Sequence, residues 1–191
     1  MWQFICMLCE VKNRIVYIVI IAVLSGCFNM TRKKYLLSKE LTDSLITEPS
    51  DTILTRNNNP KKLVEYAQTL IGTPYLYGST DPSAGFDCSG FITYVFNHFQ
   101  IQVPRSSIDF TNAGKEIVPE KAKPGDLILF TGTDIGIRYV GHMGIIVSND
   151  DGNIKFIHTS SGKAKSVVIT SFESYYKSRF VKVIRVFPDT K

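Results

Sequence analysis

The chain has 191 residues, of which 44% are hydrophobic, 12% aromatic and 20% charged. That length suits one ordinary domain with short extensions, and the balance excludes a disordered chain, a collagen and a coiled coil. A net charge of +5 and a pI near 9.0 are only mildly basic, too little to mark nucleic-acid binding, and none is expected. The four cysteines, Cys6, Cys9, Cys27 and Cys88, admit two disulfides or a metal site on count alone, so their positions decide.

Glu10, Lys12 and Arg14 precede an uninterrupted uncharged run at residues 15–24. As a helix that run spans about 15 Å, roughly half a bilayer core. It is short for a membrane span and suits the apolar region of a signal peptide. Leu24-Ser25-Gly26-Cys27 follows and resembles the lipobox of bacterial lipoproteins. The resemblance implies cleavage before Cys27, a diacylglycerol on its sulfur and attachment of the mature chain to a membrane. Residues 1–26 are then a leader, with Met1 or Met7 as its start. Cys6 and Cys9 lie within it, away from the folded context that a C-x-x-C motif needs. Residues 27–59 are polar without a sustained period, which predicts a lipidated cysteine and a flexible tether. The domain is expected over 60–188.

Asn59 and Pro60 mark a helix start. Leu63, Ala67, Leu70 and Ile71 form its apolar stripe, and Gly72 stops it. Residues 73–86 read as a loop. Asp87-Cys88-Ser89-Gly90 then opens a second helix whose apolar side is Phe91, Ile92, Val95, Phe96 and Phe99. Cys88 thus sits at a helix N-terminus, where partial positive charge and unpaired N–H groups favour a thiolate. His98, near the other end of that helix, is expected to be structural.

Lys123-Pro124-Gly125-Asp126 is a turn before a short buried strand at 127–130. Residues 131–141 form a glycine-containing loop. Strands at 142–147 and 154–158 flank a dense turn at 149–153. With the turn centred at Asp150 and Asp151, partner numbers sum to about 300. His142 and His158 are then directly opposed on one face, with Cβ atoms about 5 Å apart. A strand at 167–169, a short helix within 172–178 and a last strand at 180–187 complete an α+β order, helices first and antiparallel strands after.

A cysteine at a helix N-terminus and a histidine on a facing strand make an activated nucleophile, with the imidazole taking the thiol proton. A third polar group must orient that imidazole, and His158 is the natural choice. Cysteine, histidine and polar residue follow one another as in papain-like peptidases.

The sequence resembles the NlpC-type cell-wall cysteine peptidases. The matching strings are Gly72-Thr73-Pro74-Tyr75-Leu76-Tyr77-Gly78, Phe86-Asp87-Cys88-Ser89-Gly90-Phe91 and Val103-Pro104-Arg105-Ser106-Ser107. They continue with Pro124-Gly125-Asp126-Leu127-Ile128-Leu129-Phe130, Gly141-His142-Met143-Gly144-Ile145 and Phe156-Ile157-His158-Thr159-Ser160. The resemblance implies a papain-like fold, with N-terminal helices carrying the cysteine packed on a small antiparallel sheet carrying the histidines. It implies hydrolysis of peptidoglycan stem peptides, with Cys88 as nucleophile, His142 as general base and His158 orienting it. It also implies that Tyr75, Asp87, Ser89 and Arg105 bind substrate, Tyr75 alternatively holding the oxyanion. Chemically, Asp87 suits a free amino group and Arg105 a carboxylate. The family usually has tryptophan at Tyr77, a second glycine at Ser79 and leucine at Val103; these departures leave the chemistry intact.

The expected cut is the γ-D-glutamyl–diamino acid bond. A D,D-endopeptidase opening cross-links, and a cysteine amidase or acyltransferase, are the alternatives on the same scaffold. No metal and no cofactor are expected, and a monomer is the expected state. The lipid on Cys27 implies the cell envelope. Phe28, in place of the aspartate that retains some lipoproteins in the inner membrane, favours the outer membrane facing the periplasm in a Gram-negative cell.

Overall fold

The computed structural model describes residues 53–134 and 136–188. The leader, Cys27 and residues 28–52 of the expected tether lie outside them. Helix α1, Pro60–Thr69, starts as its sequence demands: the Asn59 side chain accepts from the Lys61 N–H at 2.8 Å, and Pro60 occupies the first turn. It buries Leu63, Val64 and Ala67. It ends two residues before Ile71, which is exposed rather than part of the apolar stripe. The segment after Gly72 is more ordered than a loop, holding a two-residue pair of strands, β1 (Thr80–Asp81) and β2 (Gly85–Phe86).

Helix α2, Cys88–His98, is capped by Asp87, whose carboxylate accepts from the Gly90 N–H. Its inward side is Phe91, Ile92, Val95 and Phe96, all fully buried. Each such side chain contributes roughly 1.5–3 kcal/mol of burial, so the cysteine end of the helix rests on a firm base. His98 is exposed and stacks on Tyr66 of α1, with ring centroids 3.7 Å apart.

The remaining strands are β3 (Lys115–Ile117), β4 (Leu127–Thr131), β5 (Val140–Asp150), β6 (Asn153–Thr159), β7 (Val167–Ser171) and β8 (Phe180–Arg185). A short helix α3, Ser174–Ser178, precedes β8. They form one antiparallel sheet in the order β3-β8-β4-β5-β6-β7. The fold is α+β. One sheet face, with Leu127, Leu129, Met143, Ile145 and Ile157, shares a core with the helices. The other, with Ile128, Phe130, Ile146 and Phe156, is packed by Phe172, Tyr176 and Phe180.

Two expectations change. Residues 53–59, read as tether, are packed on the domain. Ile53 and Thr55 are buried, the Ile53 N–H donates to the Ala113 carbonyl at 3.2 Å, and the Asn58 side chain donates to the Phe99 carbonyl at 2.9 Å. A single buried apolar side chain, Ile53, docks there while Leu54 stays exposed, so the segment carries no period.

The β5–β6 register is also different. The turn residues are Asp151 and Gly152, both with positive φ (52° and 90°), and Asp150 pairs with Asn153. That is the Asp-Gly turn favoured by the twist of a hairpin. Partner numbers near the turn sum to 303, a register that would put His142 and His158 on opposite faces. A bulge between Ile146 and Ser148 inserts Val147, and beyond it the sum is 302. The histidines return to one face as diagonal neighbours rather than opposed ones.

Candidate active site

His142 Nε2 and His158 Nδ1 are 3.0 Å apart, with the rings nearly perpendicular. Gly144 makes the diagonal approach possible, since a Cβ there would lie 2.7 Å from the Phe156 ring and 3.1 Å from the His158 Cβ. His158 is fully buried. Its Nε2 is 3.0 Å from Thr170 Oγ1 on β7 and 3.4 Å from the Tyr176 hydroxyl. Tyr176 also stacks on the His142 ring. Sequence reading missed both partners. Thr170 lies on the edge strand two residues from Val168, which pairs with His158, and only the register makes that visible. Tyr176 had a weak signal, an aromatic in the segment that forms α3.

Cys88 is brought to the same place from the helix side. Its Sγ lies 4.0 Å from the carbonyl oxygen of Gly141, the residue before His142. Gly141 sits in a second bulge of β5, where Phe130 pairs with His142 but Thr131 pairs with Val140. A Cβ on Gly141 would come within 2.7 Å of the Gly132 backbone, so the close approach needs glycine.

Tyr75 lies on a segment bonded to both the strand before the Cys88 helix and the approach to β7. Its N–H donates to the Lys165 carbonyl at 2.8 Å, and Pro74 accepts from the Phe86 N–H at 2.9 Å. Burial raises the Tyr75 hydroxyl above its ordinary pKa, and the nearby Cys88 and Asp87 raise it further. Its hydroxyl is therefore a donor at neutral pH.

Asp87, Ser89 and Arg105 form one cluster. Arg105 grips Asp87 with two bonds, Nη2 to Oδ2 at 2.8 Å and Nη1 to Oδ1 at 3.1 Å, and donates from Nη1 to Ser89 Oγ at 2.9 Å. Asp87 Oδ2 also accepts from the Gly78 N–H at 2.9 Å. Asp87 and Arg105 neutralise each other, so neither is an isolated charge awaiting a substrate group. The guanidinium remains partly exposed.

The electrostatics differ from a preformed thiolate. Burial pushes the Cys88 thiol up to about 11, with a further rise from the Asp87 charge. The N–H groups of Ser89 and Cys88, and Arg105, oppose this without winning. Burial also holds His142 well below its usual value, followed by the charges of His158 and Arg179. His158 is pushed down to about 4, chiefly by burial. At neutral pH the cleft therefore holds a thiol and two neutral imidazoles. The helix end favours the anion, but burial outweighs it at rest.

Tautomers follow from the partners. For His142 Nδ1 to take a proton, its Nε2 must carry one and donate it to His158 Nδ1. His158 then carries its own proton on Nε2 and donates to Thr170 Oγ1. Among the described residues, no group of three or more His, Cys, Asp and Glu side chains is arranged to hold a metal ion.

The family described as NlpC/P60 matches residues 72–185. The "Gamma-DL-glutamyl hydrolase" of Bacillus subtilis is 36% identical over 125 residues, covering 64% of this chain and 28% of that protein. The "Probable endopeptidase NlpC" of Escherichia coli is 33% identical over 127 residues, covering 65% of this chain and 76% of that one. A crystal structure of an NlpC/P60 family protein from Bacillus cereus superimposes with a TM-score of 0.60 at 27% identity, over 70% of this chain and 42% of that one. The chain spans only 28% to 41% of the length of four matched Bacillus subtilis relatives.

Proposed function

The chain belongs to the NlpC/P60 family, and we propose that it hydrolyses peptidoglycan stem peptides with Cys88 as nucleophile, His142 as general base and His158 as the residue that orients it. The observation that carries this reading is the line from Cys88 Sγ, beside the Gly141 carbonyl, through His142 to His158 and Thr170.

His142 Nδ1 takes the thiol proton as the sulfur attacks the scissile carbonyl carbon. The carbonyl oxygen gains the negative charge, with the Tyr75 hydroxyl and the Cys88 N–H as donors beside it. His142 returns the proton to the leaving amine, and the C–N bond breaks to give a thioester. Water then attacks the thioester carbon, giving its proton to His142. The C–S bond breaks, the acid leaves and Cys88 regains its proton.

The bond is the one between γ-D-glutamate and a diamino acid, a choice supported by the "Bifunctional muramidase/DL-endopeptidase CwlT" of Bacillus subtilis, 36% identical over 97 residues. Ser89 and the partly exposed Arg105 hold the acyl side, with Asp87 fixing the guanidinium. The Leu24–Cys27 string supports a chain held by a lipid on Cys27 in the cell envelope, facing the wall.

Digestion of defined cross-linked and uncross-linked muropeptides, with products read by mass, tests the reading. A new amine on the diamino acid is expected, lost in Cys88→Ala with the fold kept by circular dichroism. Unchanged muropeptides with the unmodified protein would sink the function. A cut at a D-alanyl cross-link would give the D,D-endopeptidase, and an acylated acceptor the transferase. Cys27→Ser is expected to free the protein from membranes; a mutant that still pellets with them removes the lipid anchor.

A further inference from the structure

A cavity of about 360 Å³ opens beside His142. Thr133, Ser160, Lys163, Tyr175 and Arg179 are among the residues that line it, and no acidic side chain does. Asp87, Ser89 and Arg105 do not reach it, so it is separate from the cluster beside Cys88.

Arg179 is fixed in its wall. Its Nη2 donates to the Thr131 carbonyl at 2.6 Å, its Nη1 donates to the Tyr175 hydroxyl at 2.7 Å, and the guanidinium lies 5.0 Å from the Tyr175 ring. One hydrogen remains on each terminal nitrogen. Tyr175 accepts through its oxygen, so its own O–H is left to donate. Lys163, on the loop after β6, is exposed and makes no ion pair with a described residue. The cavity thus offers two cations and a hydroxyl donor to one ligand group. A planar carboxylate matches that set, and a side chain that ends in an ammonium alone is disfavoured by it.

The order of the reaction says which part of the substrate lies here. The acyl part stays on the Cys88 sulfur. The leaving nitrogen must receive its proton from His142, so the amine component lies on the histidine side of the cleft. This cavity borders His142.

We propose that Lys163, Arg179 and Tyr175 form a carboxylate-binding subsite for the amine component. It makes the enzyme prefer a diamino dicarboxylic acid with a free side-chain carboxylate over lysine at that position. The assignment rests on the endopeptidase reading above.

The full chain is assayed on three peptides of the form L-Ala-γ-D-Glu-X, where X is meso-diaminopimelic acid, its side-chain carboxamide or L-lysine. The acid is expected to exceed the carboxamide in kcat/KM by roughly tenfold, the scale of one charge-assisted hydrogen bond, with lysine lower still. Lys163→Glu is expected to lower kcat/KM for the acid until it no longer exceeds that for the carboxamide. Arg179→Lys, with melting temperature as a control, should narrow the preference in the same sense. Equal kcat/KM for the acid and the carboxamide, or a preference that survives Lys163→Glu, overturns the subsite alone. Cleavage of none of the three overturns the endopeptidase reading and the subsite with it.

Discussion

Burial raises the Cys88 thiol and lowers both histidines, so in the proposed mechanism the proton moves from sulfur to imidazole only during attack, and activity at low pH is expected to be set by the histidines. Protonated His142 cannot act as a base. The acid limb of kcat/KM is therefore expected below the ordinary histidine value of about 6.5, as pH–rate profiles on a neutral substrate would check. Stability follows the same groups. Unfolded His158 protonates near its ordinary value of about 6.5, whereas the folded residue stays neutral down to about 4. The unfolded state binds the extra proton between those limits, so stability is full above the upper one and is lost as pH falls through the window. The effect is on the order of 3 kcal/mol; urea unfolding at pH 7 and pH 4.5 measures it, and His158→Gln should flatten the slope. In the proposed mechanism Thr170 acts only through His158, whose Nε2 it meets at 3.0 Å, as a positioning residue. Thr170→Val is expected to lower kcat by about tenfold with KM little changed, the effect typical of an outer partner of an oriented imidazole. Thr170→Ser should restore it, and a silent Thr170→Val would remove the relay. His158→Ala should cost less activity than His142→Ala.

At the scale of elements, β5 does most of the positioning, and it does so through its two irregularities. The bulge at Gly141 turns a carbonyl toward Cys88, and the bulge at Val147 returns His142 to the face of His158. Gly144→Val is expected to separate the two imidazoles by forcing Phe156 and His158 aside. Loss of activity with a retained circular dichroism spectrum would show it. Strand β8 is locked to β4 by the Pro124-Gly125-Asp126 turn. Asp126 is buried, receives two bonds from Arg185 at 3.0 and 2.9 Å, and accepts from the Lys123 N–H at 2.8 Å. The motif is therefore structural. Asp126→Ala leaves buried cationic and N–H donors without their carboxylate and is expected to cost about 3–5 kcal/mol, measured by denaturant unfolding.

Across the whole molecule, the helices and the sheet are joined by chain segments as much as by packing. Residues 72–76 hydrogen-bond to both β2 and the approach to β7, carrying Tyr75 between them. Residues 53–59 add an outer strap, anchored by Ile53 and Asn58. Ile53→Ala is expected to destabilise the domain by about 2–4 kcal/mol. A fragment beginning at Pro60 should melt below one beginning at Ser50, and equal melting temperatures would mean that the strap contributes nothing.

The residue types of the site were legible because local rules fix them. A cap residue before Cys88 starts a helix, apolar runs mark the strands that carry His142 and His158, and a dense turn signal marks the hairpin between them, whose centre lies one residue later than expected, at Asp151 and Gly152. The α+β class followed from the order of those periods. The sequence could not reveal the bulges, since β5 is apolar on both faces of the sheet and so carries no alternation for an extra residue to break. Nor could it reveal Thr170, Tyr176 or Arg179 as neighbours of the histidines, because they come from later elements. Their approach depends on sheet order and side-chain packing, which local sequence does not encode. The charge states belong to the same class. A helix N-terminus predicts a favoured thiolate, but burial, which only the tertiary structure sets, outweighs it and keeps the Cys88 proton in place at neutral pH.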